Sequence, residues 1–520
     1  MSAAEGWTRR AALGGGAALL VPGGALARGE ARVRAPAGDF LGTVEGGVRV
    51  FRGIRYGRAE RFRAPVAVAT PGRAVPARAF GPVCPQGSRQ YQPQSEDCLH
   101  LNVWTAEPDP RARKPVMLYI HGGAYSNGSV TDPLNDGRNL AARGDVVVVT
   151  VNHRLNAFGY LYLARLDPRF PDSGNNGQLD LLLALRWVRG NIAAFGGDPA
   201  QVLVFGQSGG GAKIATMMAM PAADGLFHRA ATMSGQQVTA SGPVNATTRA
   251  RAYLGELGVR EGGLSPLLTL PHERLVEALS AIDPILGGSV YFGPVLDMRS
   301  LTRHPFWPDA HPQSLGVPMI LGNTRDETRA FVPPDSEKVR GLTWDNLPAR
   351  MAPELRIDIL PEWVVAQYRR RFPAMSPLDV FYDATTAGRS WRGQVIEAEE
   401  RARAGAPAWV YQLNFGSRTD RRRGAFHTMD IPLAFGTLDA PGSQTGTGPD
   451  ARAASAALQE ALVAFAKTGD PNHRGIPAWP RYDLQRRATL IVDAVSRVED
   501  DPRGWQRELF ARVPYIQPGT

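Results

Sequence analysis

The chain has 520 residues, of which 43% are hydrophobic and 21% charged. That is apolar material for one large α/β domain or two to three ordinary ones, and it excludes a globally disordered chain. The formal net charge is +10, yet only four of the 59 basic residues are lysine (Lys114, Lys213, Lys338 and Lys467), and the arginines are scattered through Ala-, Gly- and Pro-rich sequence. A composition bias explains this better than a basic patch, so no nucleic-acid partner is expected. The one dense run, Arg421-Arg422-Arg423, reads as a solvated loop.

At the N-terminus, Arg9-Arg10 precede a short, glycine-rich apolar stretch to Val21 and a small-x-small site at Ala25-Leu26-Ala27. Residues 1–27 read as a twin-arginine export signal cleaved after Ala27; the alternative is a tail from a start codon placed too far upstream. The apolar run is too short for a bilayer helix and no other segment approaches that length, so no stable membrane insertion is expected. The expected location is periplasmic or secreted. Cys84 and Cys98 are the only cysteines. In an oxidising compartment they close one loop, worth ~3 kcal/mol in the loop-entropy picture; otherwise they are two reduced, buried thiols. With no His/Cys cluster, no metal site is expected.

Val116–Ile120 and Val146–Val151 are apolar on both faces, as central parallel strands are. Leu179–Ile192 reads as a helix, Gln201–Phe205 as a strand and Ala212–Met220 as a helix. Pro318–Gly322 and Ala408–Leu413 are later strands. This alternation predicts an α/β fold, a mostly parallel central sheet with helices on both faces. Between about 235 and 305, and again from about 335 to 400, helical and irregular segments interrupt it. They are candidate caps over the carboxyl edge of the sheet, where ligands bind in open α/β sheets. With no internal repeat and no linker, residues 28–520 read as one domain.

Gly206-Gln207-Ser208-Gly209-Gly210 stands between a strand and a helix, the setting of a nucleophile elbow. Alone, the motif is equally a glycine-rich turn that contains a serine. An acyl-transfer site also needs a base, a group to orient it and donors for an oxyanion. His121-Gly122-Gly123-Ala124-Tyr125 follows the Val116–Ile120 strand, and its small residues leave backbone N–H groups free to face a carbonyl oxygen.

Several stretches in order carry a resemblance: Ser95–Trp104, His121–Tyr125, Val151–Gly159, Gly174–Asp180, Asn191–Pro199, the serine elbow, Gly322–Glu327, Gly424–Pro432 and Thr468–Asn472. Across about residues 40 to 500 the chain resembles the type-B carboxylesterase and cholinesterase family of α/β-hydrolases. The resemblance implies an α/β-hydrolase fold with helical cap insertions, and a serine carboxylesterase that hydrolyses small-molecule esters without cofactor or metal. It sets Ser208 at the nucleophile position, Glu327 at the triad acid and His427 at the general base, in the chain order Ser, acid, His. Gly123, Ala124 and Gly209 stand at the oxyanion-hole positions, and Cys84 and Cys98 at the family's first disulfide. Asp326 stays open as the acid, because spacing does not separate adjacent carboxylates. His121 matches a position that supports the oxyanion loop, and Glu96 and Asp97 read as structural ion-pair partners.

The departures bear on substrate. Gln207 stands where the family usually has glutamate and Gly209 where it usually has alanine, and Arg55 replaces a usual proline. The Cys84–Cys98 segment lacks the tryptophan with which cholinesterases bind choline. A cholinesterase is therefore not expected. Two rivals remain: an amidase or carbamate hydrolase with the same triad, and a non-catalytic cholinesterase-like binding protein. Tyr125, Tyr291, Phe292 and Phe331 are candidates for either pocket or core.

Overall fold

Val- and Ile-rich runs build a mixed sheet of 13 strands in the computed structural model, which describes residues 29–517. The export signal expected at residues 1–27 lies outside the described residues. In chain order the main path uses β1 (Glu30–Ala35), β2 (Gly38–Glu45), β3 (Val48–Arg55), β4 (His100–Thr105), β5 (Lys114–Ile120), β6 (Val147–Val151), β7 (Gly197–Gln207), β8 (Arg229–Met233), β9 (Met319–Thr324), β10 (Ala408–Leu413), β11 (Ala488–Val492) and β12 (Arg497–Asp500). Their spatial order is β1-β2-β3-β4-β6-β5-β7-β8-β9-β10-β11-β12. Neighbours from β6 through β11 are parallel, and the flanking pairs are antiparallel. The result is the expected α/β fold.

Parallel strands buried on both faces need apolar side chains at every position, and the period-two alternation sends them to two different cores. Val202 and Val204 join Val116 and Leu118 in one core with α1 (Asn176–Asn191) and α2 (Gly209–Met217). Leu203 and Phe205 join Met117 and Tyr119 in the other, with α3 (Asp430–Phe435) and α4 (Pro449–Thr468). The second interrupting stretch folds as helices Leu347–Leu355, Pro361–Arg371, Pro377–Thr386 and Arg392–Arg403 around a separate apolar cluster that includes Leu347, Val364 and Phe381.

Several boundaries differ from the sequence reading, those at the elbow among them. β7 starts earlier and ends later than Gln201–Phe205, and α2 starts at Gly209, immediately after the serine, instead of at Ala212. The run Gly209-Gly210-Gly211 has poor helix propensity; tertiary packing against neighbouring backbone overrides it. The expected pairing of Cys84 with Cys98 is not formed in this structure: both are free and buried. The neighbouring Cys84 side chain and burial together hold the Cys98 thiol well above an ordinary thiol pKa. Beside them, Arg61 Nε bonds Glu96 at 2.9 Å and Arg55 pairs with Asp97 at 2.5 Å, the structural roles expected of those acids. Among the described residues no helix is long and apolar enough to cross a membrane.

Candidate active site

The parallel strands end at one edge, and the segments after β5, β7, β8, β9 and β10 carry His121–Tyr125, Ser208, Ser234, Glu327 and His427 respectively. The Gln207-to-Gly209 turn reverses direction too tightly for ordinary backbone angles. Ser208 therefore adopts φ 54° and ψ −125°, a strain of about 1–3 kcal/mol for a residue with a Cβ. Its N–H donates to the Met233 carbonyl at 2.7 Å, and its carbonyl accepts from Ala212 N at 3.0 Å. The side chain stays half-buried at the start of α2, where the helix dipole favours negative charge.

Glu327 is fully buried and its carboxylate is saturated. Oε1 accepts from Ser234 Oγ at 2.6 Å, Thr324 N at 2.8 Å and Asn323 Nδ2 at 3.0 Å; Oε2 meets His427 Nδ1. Burial alone would raise its pKa. The facing imidazole and the hydrogen bonds from His427, Ser234 and Asn323 outweigh that and hold it below the ordinary value, so it stays an anion. An anionic carboxylate only accepts, so His427 carries its proton on Nδ1 and presents a lone pair at Nε2. That lone pair accepts from Gln207 Nε2 at 3.1 Å. Among the described residues Ser208 Oγ forms no hydrogen bond in this state. The ring of Phe331, which is 41% exposed, lies 4.9 Å from the imidazole, and the Arg389 guanidinium sits 4.0 Å over Phe331.

Of the two adjacent acids, Glu327 therefore faces the histidine. Asp326 is half-buried, pairs with Arg325 and Arg329, and accepts from Ala425 N at 2.9 Å, which ties down the segment before His427. Ser234 and Asn323 escaped the sequence reading. Asn323 lies in the Gly322–Glu327 stretch, four residues before the acid, but nothing there gave it a role of its own; for Ser234 only its position at the end of an apolar strand could have flagged it.

Gly123 (φ 88°) and Ala124 (φ 54°) both take left-handed backbone conformations. Among the described residues the N–H groups of Gly123, Ala124 and Gly209 are bonded to no acceptor. His121 is buried and stacks on His153 with ring centroids 4.7 Å apart. Burial, aided by the nearby Lys213 charge, pushes its pKa down to about 3, so it is neutral. A cavity of about 600 Å³ opens beside this loop, walled in part by Gly123, Gln207, Thr428, Tyr91 and Asp132. That volume falls within the range of small-molecule sites. Within that wall Tyr91 Oη donates to Asp132 Oδ2 at 3.0 Å. Tyr125, by contrast, is core: it is buried and its hydroxyl donates to Gln237 Oε1 at 2.8 Å. Phe292 is buried as well. The Arg421–Arg423 turn is solvated and folded back on Asp420. Among the described residues no group of three or more His, Cys, Asp or Glu side chains is placed to hold a metal ion.

A doubly covered parallel sheet with a serine on its strand–helix turn, and with a carboxylate and a histidine following from later strands, defines the α/β-hydrolase class. Comparison with known proteins narrows it. The model of the carboxylesterase family matches residues 29–504, and the chain belongs to that family. It is 36% identical to the para-nitrobenzyl esterase of Bacillus subtilis over 91% of this chain and 96% of that protein. It is 32% identical to the phenmedipham hydrolase of Pseudarthrobacter oxydans over 88% and 94%. The crystal structure of a Geobacillus stearothermophilus carboxylesterase superposes with a TM-score of 0.82 at 34% identity, covering 92% of this chain and 99% of that one.

Proposed function

We propose that the chain hydrolyses small-molecule carboxylic esters through an acyl-enzyme on Ser208. Oγ attacks the ester carbonyl while His427 Nε2 takes its proton, with Glu327 orienting the ring and stabilising the imidazolium. The N–H groups of Gly123, Ala124 and Gly209 receive the oxyanion. His427 then protonates the departing alcohol, and water removes the acyl group by the same route. For the first step Nε2 exchanges the Gln207 amide for the Ser208 hydroxyl. The observation that carries this reading is the buried Glu327–His427 pair, whose free nitrogen is reached by the residue next to Ser208. No metal or organic cofactor enters any step.

Ser208→Ala should lower p-nitrophenyl acetate turnover by several orders of magnitude, and a fluorophosphonate should label Ser208 in the native enzyme. Near-normal hydrolysis by the variant would overturn the assignment. Absence of labelling would favour the non-catalytic binding reading, against which the presence of all three triad residues speaks. A carbamate-hydrolysing reading draws support from the phenmedipham hydrolase among the relatives; matched ester and carbamate substrates separate the two. A cholinesterase is disfavoured by the neutral Gln207 beside the nucleophile and by the lack of tryptophan between Cys84 and Cys98.

The twin-arginine pattern supports export, with cleavage after Ala27 and residence in the periplasm or outside the cell. Once there, Cys84 and Cys98, both buried and free, would oxidise to a disulfide. N-terminal sequencing of exported protein and a mass short of both thiol hydrogens test these two statements.

A further inference from the structure

Lys213 is fully buried and, among the described residues, forms no ion pair. Burying an ammonium without a counter-charge is unfavourable enough to push its pKa down to about 7, so this position needs a reason. The side chain lies in the first turns of α2 and slopes toward the helix N-terminus, as helical side chains do. Its Nζ donates to the Ala124 carbonyl at 2.6 Å and to the Gly209 carbonyl at 3.3 Å, and sits 4.8 Å from the Tyr125 ring centroid. These contacts fall on the two backbone segments that supply the oxyanion donors.

The Ala124 carbonyl occupies an unusual place. A Cβ added to Gly209 would lie 1.9 Å from the Ala124 oxygen and 2.5 Å from its Cα. The carbonyl therefore fills the volume that a side chain at position 209 would need. Ala124 reaches it only through its left-handed φ of 54°. Gly209, the conformation of Ala124 and the Lys213 ammonium thus belong to one arrangement: glycine leaves the space, the loop bends into it and the amine holds it there. Releasing the Ala124 carbonyl from this place would let the Ala124 Cα, which is packed on Gly209, move away from it, and with that Cα the attached Ala124 N–H and the Gly123 unit before it.

We propose that Lys213 is a positioning residue of the oxyanion hole, pinning the Ala124 carbonyl over Gly209 and thereby aiming the Gly123 and Ala124 N–H groups at the reacting carbonyl. The proposal rests on the acyl-transfer reading above. The decisive measurement uses the full-length mature enzyme with Lys213→Met, Lys213→Arg, Gly209→Ala and the Lys213→Met/Gly209→Ala double variant. Concentrations are fixed by active-site titration, so misfolded protein is not counted. For Lys213→Met, kcat should fall ~10²-fold with KM changed less than about threefold, the pattern of a lost transition-state contact. Affinity for an aryl trifluoromethyl ketone, which adds Ser208 and leaves an oxyanion, should fall by the same factor. Lys213→Arg keeps a buried donor and should recover most of the loss. Gly209→Ala should reproduce the defect, and the double variant should be no worse than either single one, because both act through the same carbonyl.

Wild-type kcat and ketone affinity in Lys213→Met overturns the proposal, as do losses that multiply in the double variant. Should Lys213→Met fail to accumulate, Gly209→Ala and Lys213→Arg still decide: a fully active Gly209→Ala enzyme is incompatible with the pinned carbonyl. A native enzyme without ester hydrolysis would instead refute the acyl-transfer reading itself.

Discussion

Replacing Gln207 by glutamate restores the residue usual in the family, and its effect follows from one contact. Gln207 is 1% exposed, and its amide lies 3.1 Å from His427 Nε2, the nitrogen to which the proposed mechanism gives the role of base. In Gln207→Glu the amide donor is exchanged for an acceptor that pairs with the imidazolium. At that separation and an effective dielectric near 20, Coulomb's law gives about 5 kcal/mol in favour of the protonated ring. That equals roughly three to four pKa units. Part of it is taken up by the new carboxyl, which is buried and holds its own proton more tightly. The net expectation is that the acidic limb of the kcat/KM profile for p-nitrophenyl acetate moves up by at least about one pH unit. Turnover below neutral pH falls accordingly, while the plateau above it is largely kept. A cationic acylthiocholine should gain relative to a neutral ester of equal size, because the pocket acquires a negative charge. An acidic limb that stays within about half a unit of the native one would show that Gln207 does not meet Nε2 in the working enzyme.

Other perturbations probe the surrounding structure. Ser234→Ala removes the 2.6 Å hydrogen bond to Glu327 Oε1, a charge-assisted contact worth about 1.5–3 kcal/mol. Steady-state kinetics should show kcat lowered by about tenfold or more with KM nearly constant; unchanged kcat would mean that Asn323 and Thr324 suffice to hold the acid. Asp180→Asn breaks the buried pair in which Asp180 takes Arg154 Nη2 at 2.7 Å and Nε at 2.9 Å. Leaving that guanidinium unpaired should cost about 3–5 kcal/mol, read as a lower urea midpoint, and an unmoved midpoint would refute the account. The Glu397 carboxyl is fully buried, and burial raises its pKa from 4.5 to about 8. The folded protein therefore binds this proton more tightly than the unfolded chain, so the contribution is complete below pH 4.5 and is lost as pH rises toward about 8. Glu397→Gln keeps an acceptor for the Gln237 N–H and should flatten the fall in Tm across that window; parallel Tm–pH curves for the two proteins would refute it.

The sheet was legible because β-branched runs such as Val147–Val151 have one physical use, a strand covered on both faces. The start of α2 was not: three successive glycines read as loop, and only the backbone packed around them makes helix the better state there. For the triad acid, spacing left Asp326 and Glu327 equivalent. The fold separates them by sending one side chain inward to four partners and the other to Arg325, Arg329 and the Ala425 N–H. Ser234 and Lys213 were invisible for a shared reason, since each acts on a segment far away in the chain. The stretches around Arg154 and Asp180, by contrast, were conspicuous for structural reasons: they meet in a buried ion pair.

The backbone-on-backbone packing at the elbow has an evolutionary consequence. A methyl group at Gly210 or Gly235 would come within about 2 Å of a carbonyl oxygen, from Ile120 and Ser208 respectively. No side-chain rearrangement relieves such an overlap, so these positions have almost no mutational tolerance. Heritable change in substrate range is thereby channelled outward, into the cap helices between residues 347 and 403 and the wall formed by Tyr91 and Asp132. A saturation library scored for activity should come back nearly empty at those glycines and richly populated along that rim.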